Sequence, residues 1–260
     1  MKKVSILFVA NSFGDDTIMY MSRIAKEFGI ELDAHILYIG GCDINTHIKN
    51  LINNSPKYEY RLVNEDYDNI ITQYDYIANE AINNYWDYIV LQQQSSLAGM
   101  KNGLNNLDQL IELIKQINPN KDTKYIWNMT WSYPNGSTHP CFVDFNNDQA
   151  IMDKGILDNI IEHIIPNKTF SKIIPVGLGI KQLRNYLPNN IIHRDMFHLS
   201  FDVGRFLASL LAIKTIFDVD IDNIKFNPKN MGEKVKKEII SCVDFASEEM
   251  KNIIKNNLFN

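Results

Sequence analysis

Val4-Ser5-Ile6-Leu7-Phe8-Val9-Ala10-Asn11-Ser12-Phe13-Gly14-Asp15-Asp16 joins a nearly unbroken apolar run to a cluster of turn residues. Beyond it, Thr17–Phe28 carries Ile18, Met19, Met21, Ile24, Ala25 and Phe28 at helical spacing. A short apolar run stopped by Asn, Ser and Gly reads as a strand buried on both faces and followed by a helix. The same unit recurs along the chain. Strands are predicted at Ala34–Ile39, Tyr88–Leu91, Tyr125–Met129 and Ile173–Val176, and helices at Leu104–Ile117, Ile151–Ile165, Phe201–Phe217 and Glu233–Ile254. Alternation of this kind implies an α/β fold, a three-layer α/β/α sandwich around a central parallel sheet. Tyr58–Tyr67 breaks the alternation and reads either as a short hairpin or as an excursion before the next helix. With no repeat and no linker, residues 1–260 are expected to form a single domain.

Composition removes several classes of function. Apolar residues make up 45% and charged residues 22% of the 260, which is enough to build a sizeable core. The net charge of −5 leaves no basic footprint, so neither nucleic acid nor an anionic membrane is an expected partner. Two lysines precede the first apolar run, as in a secretory leader, but no small-x-small cleavage site follows, and no stretch approaches the ~18 apolar residues of a membrane span. Cys42, Cys141 and Cys242 are odd in number and far apart, a pattern that suits a reducing compartment and argues against a disulfide framework or a zinc knuckle. The expected location is the cytoplasm.

In an open parallel sheet the productive crevice lies beyond the C-terminal strand ends. Ser12 stands at the first of these ends, either as a nucleophile or as the cap of the following helix, a task Asp15 or Asp16 performs equally well. A nucleophilic serine needs a base, and the base needs an orienting acid. Asp195 and His198 lie three residues apart, after the last predicted strand and before a strongly apolar helix. On one turn the carboxylate reaches one imidazole nitrogen while the other faces Ser12.

Together these segments resemble the SGNH (GDSL-type) hydrolases, in particular a bacterial branch with an Asn-Ser-Phe nucleophile block. Asn11-Ser12-Phe13 resembles that block, with Ala10 where Gly is common, and Tyr38–Cys42 resembles the second block. Trp86–Ser95 is similar to the third block, Trp127–Trp131 and Ser137–His139 to the central loop, and Ile174–Gly177 and Arg194–Ser200 to the last segments. The resemblance implies a flavodoxin-like sandwich, Ser12, His198 and Asp195 as a catalytic triad, and an oxyanion hole from the Ser12 and Gly41 N–H groups and a third-block side chain. The superfamily usually has Asn in a Gly-x-Asn-Asp context there. This chain has Gln92, Gln93 and Gln94, and analogy with Gln-bearing branches selects Gln93.

Trp131–Asn147 is a long loop rich in Pro, Gly, Ser, Asn and aromatics, the composition of a binding loop. Trp131 and Tyr133 are candidates to stack on a sugar face, or else to pack in the core, and His139 is a candidate substrate contact. His193 and His198 have no adjoining third ligand, so no metal is expected, and the chemistry calls for no cofactor. The expected function is a serine esterase that removes an O-acyl group, most simply acetyl, from a carbohydrate or small ester. The alternatives are acyl transfer to a sugar hydroxyl and a catalytically silent carbohydrate-binding protein. Oligomeric state is not legible.

Overall fold

The computed structural model describes residues 2–67 and 69–258. Seven strands form one sheet: β1 (Lys2–Ala10), β2 (Ile30–Tyr38), β3 (Pro56–Leu62), β4 (Ile71–Ile77), β5 (Tyr88–Leu91), β6 (Lys124–Asn128) and β7 (Phe170–Ile174). Their order is β4-β3-β2-β1-β5-β6-β7. Five strands, from β2 to β7 across the sheet, pair in parallel, and helices cover them as the alternation predicts. The central parallel sheet is extended at one edge by two antiparallel pairings, β2–β3 and β3–β4. Tyr58–Tyr67 therefore contributes to a hairpin, and an antiparallel edge on a parallel sheet is a common way to finish such folds. Among the described residues no helix is long and apolar enough to cross a membrane.

Strand register explains where a site can form. Ala10 pairs with Tyr38 and Val9 with Leu91, so β1, β2 and β5 end at nearly the same level. The chain leaves β1 toward β2 on one side and later returns to β5 on the other, which makes β1 the point where strand order reverses. Loops diverging there leave a crevice. The apolar core beneath is continuous, with Ile6, Leu7, Phe8, Ile89, Val90 and Ile126 fully buried.

One predicted helix and one predicted strand differ from their periodicity. Thr17–Phe28 is predicted as one helix, but Ser12–Ile18 and Met21–Glu27 are separate. The Ser209 hydroxyl enters the ladder between them: it donates to Thr17 O at 2.8 Å and accepts from Tyr20 N at 3.1 Å. A side chain inserted into the i→i−4 series breaks a helix without leaving backbone groups unpaired. At β7, Pro175 cannot donate to the ladder, and Val176 opens the Val176–Leu183 helix instead of extending the strand.

Candidate active site

Ser12 is the first residue of the Ser12–Ile18 helix, and the helix is capped by the residue before it. Asn11 Oδ1 accepts from Phe13 N at 3.0 Å, so neither Ser12, Asp15 nor Asp16 is the cap. The buried Asn11 also accepts from Gln92 Nε2 at 2.7 Å and donates to Cys42 O at 2.9 Å, tying the ends of β1 and β5 to the loop after β2. Ala10 is accommodated at a cost to Gly14, where an added Cβ would lie 2.4 Å from the Ala10 methyl.

Freed from capping, Ser12 Oγ lies 2.8 Å from His198 Nε2. His198 Nδ1 lies 2.7 Å from Asp195 Oδ2. The other oxygen of Asp195 accepts from the backbone N–H of His198 at 2.7 Å and of Phe197 at 3.3 Å. Partial burial opposes ionisation of Asp195, but the His198 ring and these N–H groups outweigh it and hold the carboxyl below its ordinary value. Asp195 thus shapes its own turn while it orients the ring. Asp16, one turn beyond Ser12 and fully buried, grips both ends of the same loop: Oδ2 accepts from Leu199 N at 2.9 Å, and Oδ1 from Arg194 at 2.8 Å. Arg205 reaches Asp16 at 2.7 Å and Asp15 at 3.2 Å, and Arg61 reaches Asp15 at 2.6 Å. Burial pushes the Asp16 carboxyl up while the Arg205 and Arg194 charges pull it back. The cluster fixes the distance between Ser12 and His198 because one aspartate holds the elements carrying each.

A cavity of about 250 Å3 opens over this pair, between Tyr38, Gly41, Gln94, Ser95, His139 and Phe197. Larger hollows of about 450 and 440 Å3 lie beside Lys121 and Lys3, but their walls hold no paired serine and histidine. The Ser12 N–H, first in its helix, has no intrahelical acceptor. Gly41 adopts φ +65°, a conformation that favours glycine, in a turn closed by Cys42 N to Ile39 O at 3.2 Å. Its own N–H stays outside that turn bond.

The choice of Gln93 is corrected. Gln93 is buried, donates its amide to Gly103 O, and accepts from Ile44 N at 3.1 Å and Gln94 N at 2.7 Å. Gln92 is also occupied, between Asn11 and Asn128 Nδ2 at 2.8 Å. Gln94 lines the cavity, its carbonyl oxygen held by Leu97 N at 3.1 Å and Ser96 Oγ at 2.6 Å. Its amide nitrogen has no hydrogen-bond partner among the described residues. Trp131 and Tyr133 are corrected as well, since both are wholly buried and offer no face to a sugar. Trp131 stacks on Phe13, centroids 4.0 Å apart, and donates to Phe197 O at 2.8 Å, supporting the histidine loop from below. The Pro140–Phe145 turn folds back, with Phe142 packed against the Tyr133 ring. His139 does line the cavity.

The sequence reading does not single out Arg205, and it offers Asp16 only as a candidate helix cap. A signal existed: Arg205 interrupts the otherwise apolar Val203–Phe217 helix, and a buried charge requires a partner.

The family model for a domain of unknown function, DUF4886, matches residues 5–243. The chain belongs to the DUF4886 family. A crystal structure of a DUF4886 family protein from Bacteroides uniformis superposes with a TM-score of 0.88 at 26% identity, over 95% of both chains. A candidate SGNH hydrolase from Slackia heliotrinireducens superposes at 0.53 and 18% identity, over 82% of this chain and 99% of that one. The DUF4886 chain thus shares the fold of the SGNH type. A catalytic mutant of an acetylxylan esterase from Geobacillus stearothermophilus aligns at 0.49 and 11% identity, over 82% and 94%. No curated protein matches the sequence.

Proposed function

We propose that this DUF4886 protein is a serine ester hydrolase acting on a small O-acyl group, acetyl in the first instance, carried by a carbohydrate. The observation that carries the reading is His198 standing between Ser12 Oγ at 2.8 Å and Asp195 Oδ2 at 2.7 Å. Ser12 Oγ attacks the ester carbonyl as His198 Nε2 takes its proton, and ionised Asp195 fixes the tautomer and balances the imidazolium. Negative charge on the carbonyl oxygen is met by the N–H groups of Ser12 and Gly41 and by the Gln94 amide. His198 returns the proton to the departing alcohol, and water then releases the acid from the acyl-enzyme.

A short acyl group is favoured by Phe13, which lines the cavity and is backed by the buried Trp131 stacked on it. The rim favours a hydroxyl-rich alcohol. Tyr38, with the Arg61 guanidinium 3.9 Å from its ring centroid, stands beside Asp15 and Arg194. Such planar and charged groups hydrogen-bond sugars better than hydrocarbon.

The test is a fluorophosphonate probe read by intact mass, beside 4-nitrophenyl acetate hydrolysis. One adduct on the parent, none on Ser12→Ala, and a rate loss of at least about 10^4-fold in the variant are expected. No adduct on the parent would overturn the reading. A series of aryl esters peaking at octanoyl or longer would overturn the preference for acetyl.

A further inference from the structure

Three side chains form a chain of hydrogen bonds that ends in the cavity lined by Ser12 and His198. His139 Nδ1 lies 3.3 Å from the Cys141 N–H, His139 Nε2 lies 3.4 Å from Tyr133 Oη, and Tyr133 Oη lies 2.7 Å from Ser95 Oγ. Ser95 is 6% exposed and lines the cavity next to Gln94. Its hydroxyl has no other partner among the described residues.

The chain has a direction. A backbone N–H can only donate, so His139 Nδ1 accepts from Cys141 and carries no proton. With Nδ1 bare, the one ring proton sits on Nε2, and burial and the neighbouring His198 lower the basicity of His139 in the same sense. Nε2 therefore donates to Tyr133 Oη and cannot accept from it. Burial raises the Tyr133 phenol far above its usual range, so the phenol keeps its hydrogen, and Ser95 Oγ is the acceptor left for it. Ser95 in turn keeps its own hydrogen, which has only the cavity to point to.

From this polarity we infer that Ser95 is an additional catalytic hydrogen-bond donor, giving its hydroxyl hydrogen to the ester carbonyl oxygen as charge builds there. Tyr133 and His139 are the positioning residues that set its direction. The third block thus supplies two side-chain donors, Gln94 and Ser95, in place of the Gln93 amide that is spent on Gly103. No proton leaves Ser95: it donates a hydrogen bond only, and the proton of Ser12 still travels through His198. This inference rests on the reading of Ser12 as the nucleophile.

Ser95→Ala, Tyr133→Phe and the double variant, assayed with 4-nitrophenyl acetate, test it. A donor used only in the transition state is expected to show as a kcat loss of about 10- to 100-fold in Ser95→Ala, with KM within about twofold. Tyr133→Phe is expected to cost about 3- to 10-fold alone and nothing further on top of Ser95→Ala, since the phenol acts through the serine. An equal Tyr133→Phe cost in both backgrounds would overturn the relay. So would an unchanged kcat in Ser95→Ala while the fluorophosphonate still labels Ser12 of the parent, an outcome that leaves the esterase reading standing. Absence of parent labelling is the separate failure of that reading. Melting curves identify a variant that does not fold, and Ser95→Gly, which removes the Cβ together with the hydroxyl, then supplies the same comparison.

Discussion

The two walls of the cavity are held by different forces. The wall bearing Ser12, Asp195 and His198 is anchored by ions: buried Asp16, with Arg194 and Arg205, binds the first helix to the histidine loop. The wall bearing Gly41, Gln94 and Ser95 is held by neutral groups, with Asn11, Gln92 and Gln93 spending their amides on backbone carbonyls, backbone N–H groups and one another. An ion cluster tolerates no missing member, because each loss strands a buried charge. A neutral network loses one bond at a time. The wall proposed to move a proton is thus the one most rigidly tied, while the wall proposed to supply the side-chain donors is built from replaceable groups.

The largest effect is expected at Asp16. Asp16→Ala leaves Arg194 and Arg205 without their shared partner, and about 3–5 kcal/mol of stability should be lost. That lowers the melting temperature by roughly 10 °C, with activity falling as His198 drifts from Ser12. A melting temperature within about 2 °C of the parent would remove the contrast between the walls.

Acid should loosen both sides together, because a buried histidine stands behind each. Burial, then the Arg184 charge, lowers His193 to about 3, and burial lowers His47, in the helix after Gly41, to about 4. Both folded values lie below the unfolded value near 6.5, so the unfolded chain takes up more protons below that pH. Stability is therefore full above about 6.5 and declines as pH falls toward 4, with His47 alone accounting for about 3 kcal/mol when the decline is complete. Urea midpoints at several pH values from 7.5 to 5 measure this, and a flat series contradicts it.

The finest comparison is between adjacent glutamines. Gln94→Ala should lower kcat by roughly 10- to 100-fold and cost about 1 kcal/mol of stability, since its side chain caps the Ser95–Ala98 helix. Gln93→Ala should act mainly on stability, costing about 1–3 kcal/mol because Ile44 N–H and Gly103 O lose their partner. Equal kcat losses would show that the two residues share one role.

Legibility in the sequence follows from how local each signal is. The strands β1, β5 and β6 are mainly apolar runs buried on two faces, and Ser12 and the Asp195–His198 pair stand at positions a parallel sheet makes available. Gln93 was misassigned because strand alternation stops with Leu91, and the direction of each amide past that point depends on partners such as Ile44 and Gly103, far off in sequence. Trp131 and Tyr133 misled for a related reason: a Pro- and Gly-rich loop looks solvent-facing, yet the Pro140–Phe145 turn returns to cover it. Asn11 as cap was within reach, because Asn before a helix is among the best caps.

The bond between Ser12 and His198 spans 186 residues of chain. During synthesis the serine emerges early, on a strand whose neighbour β5 does not yet exist, and stays inert while most of the protein is made. On the proposed reading its base, His198, arrives late, and Arg205, which ties the elements carrying Ser12 and His198 to the same aspartate, later still. The nascent chain then carries an ordinary hydroxyl, and the proposed reactivity appears only as folding completes.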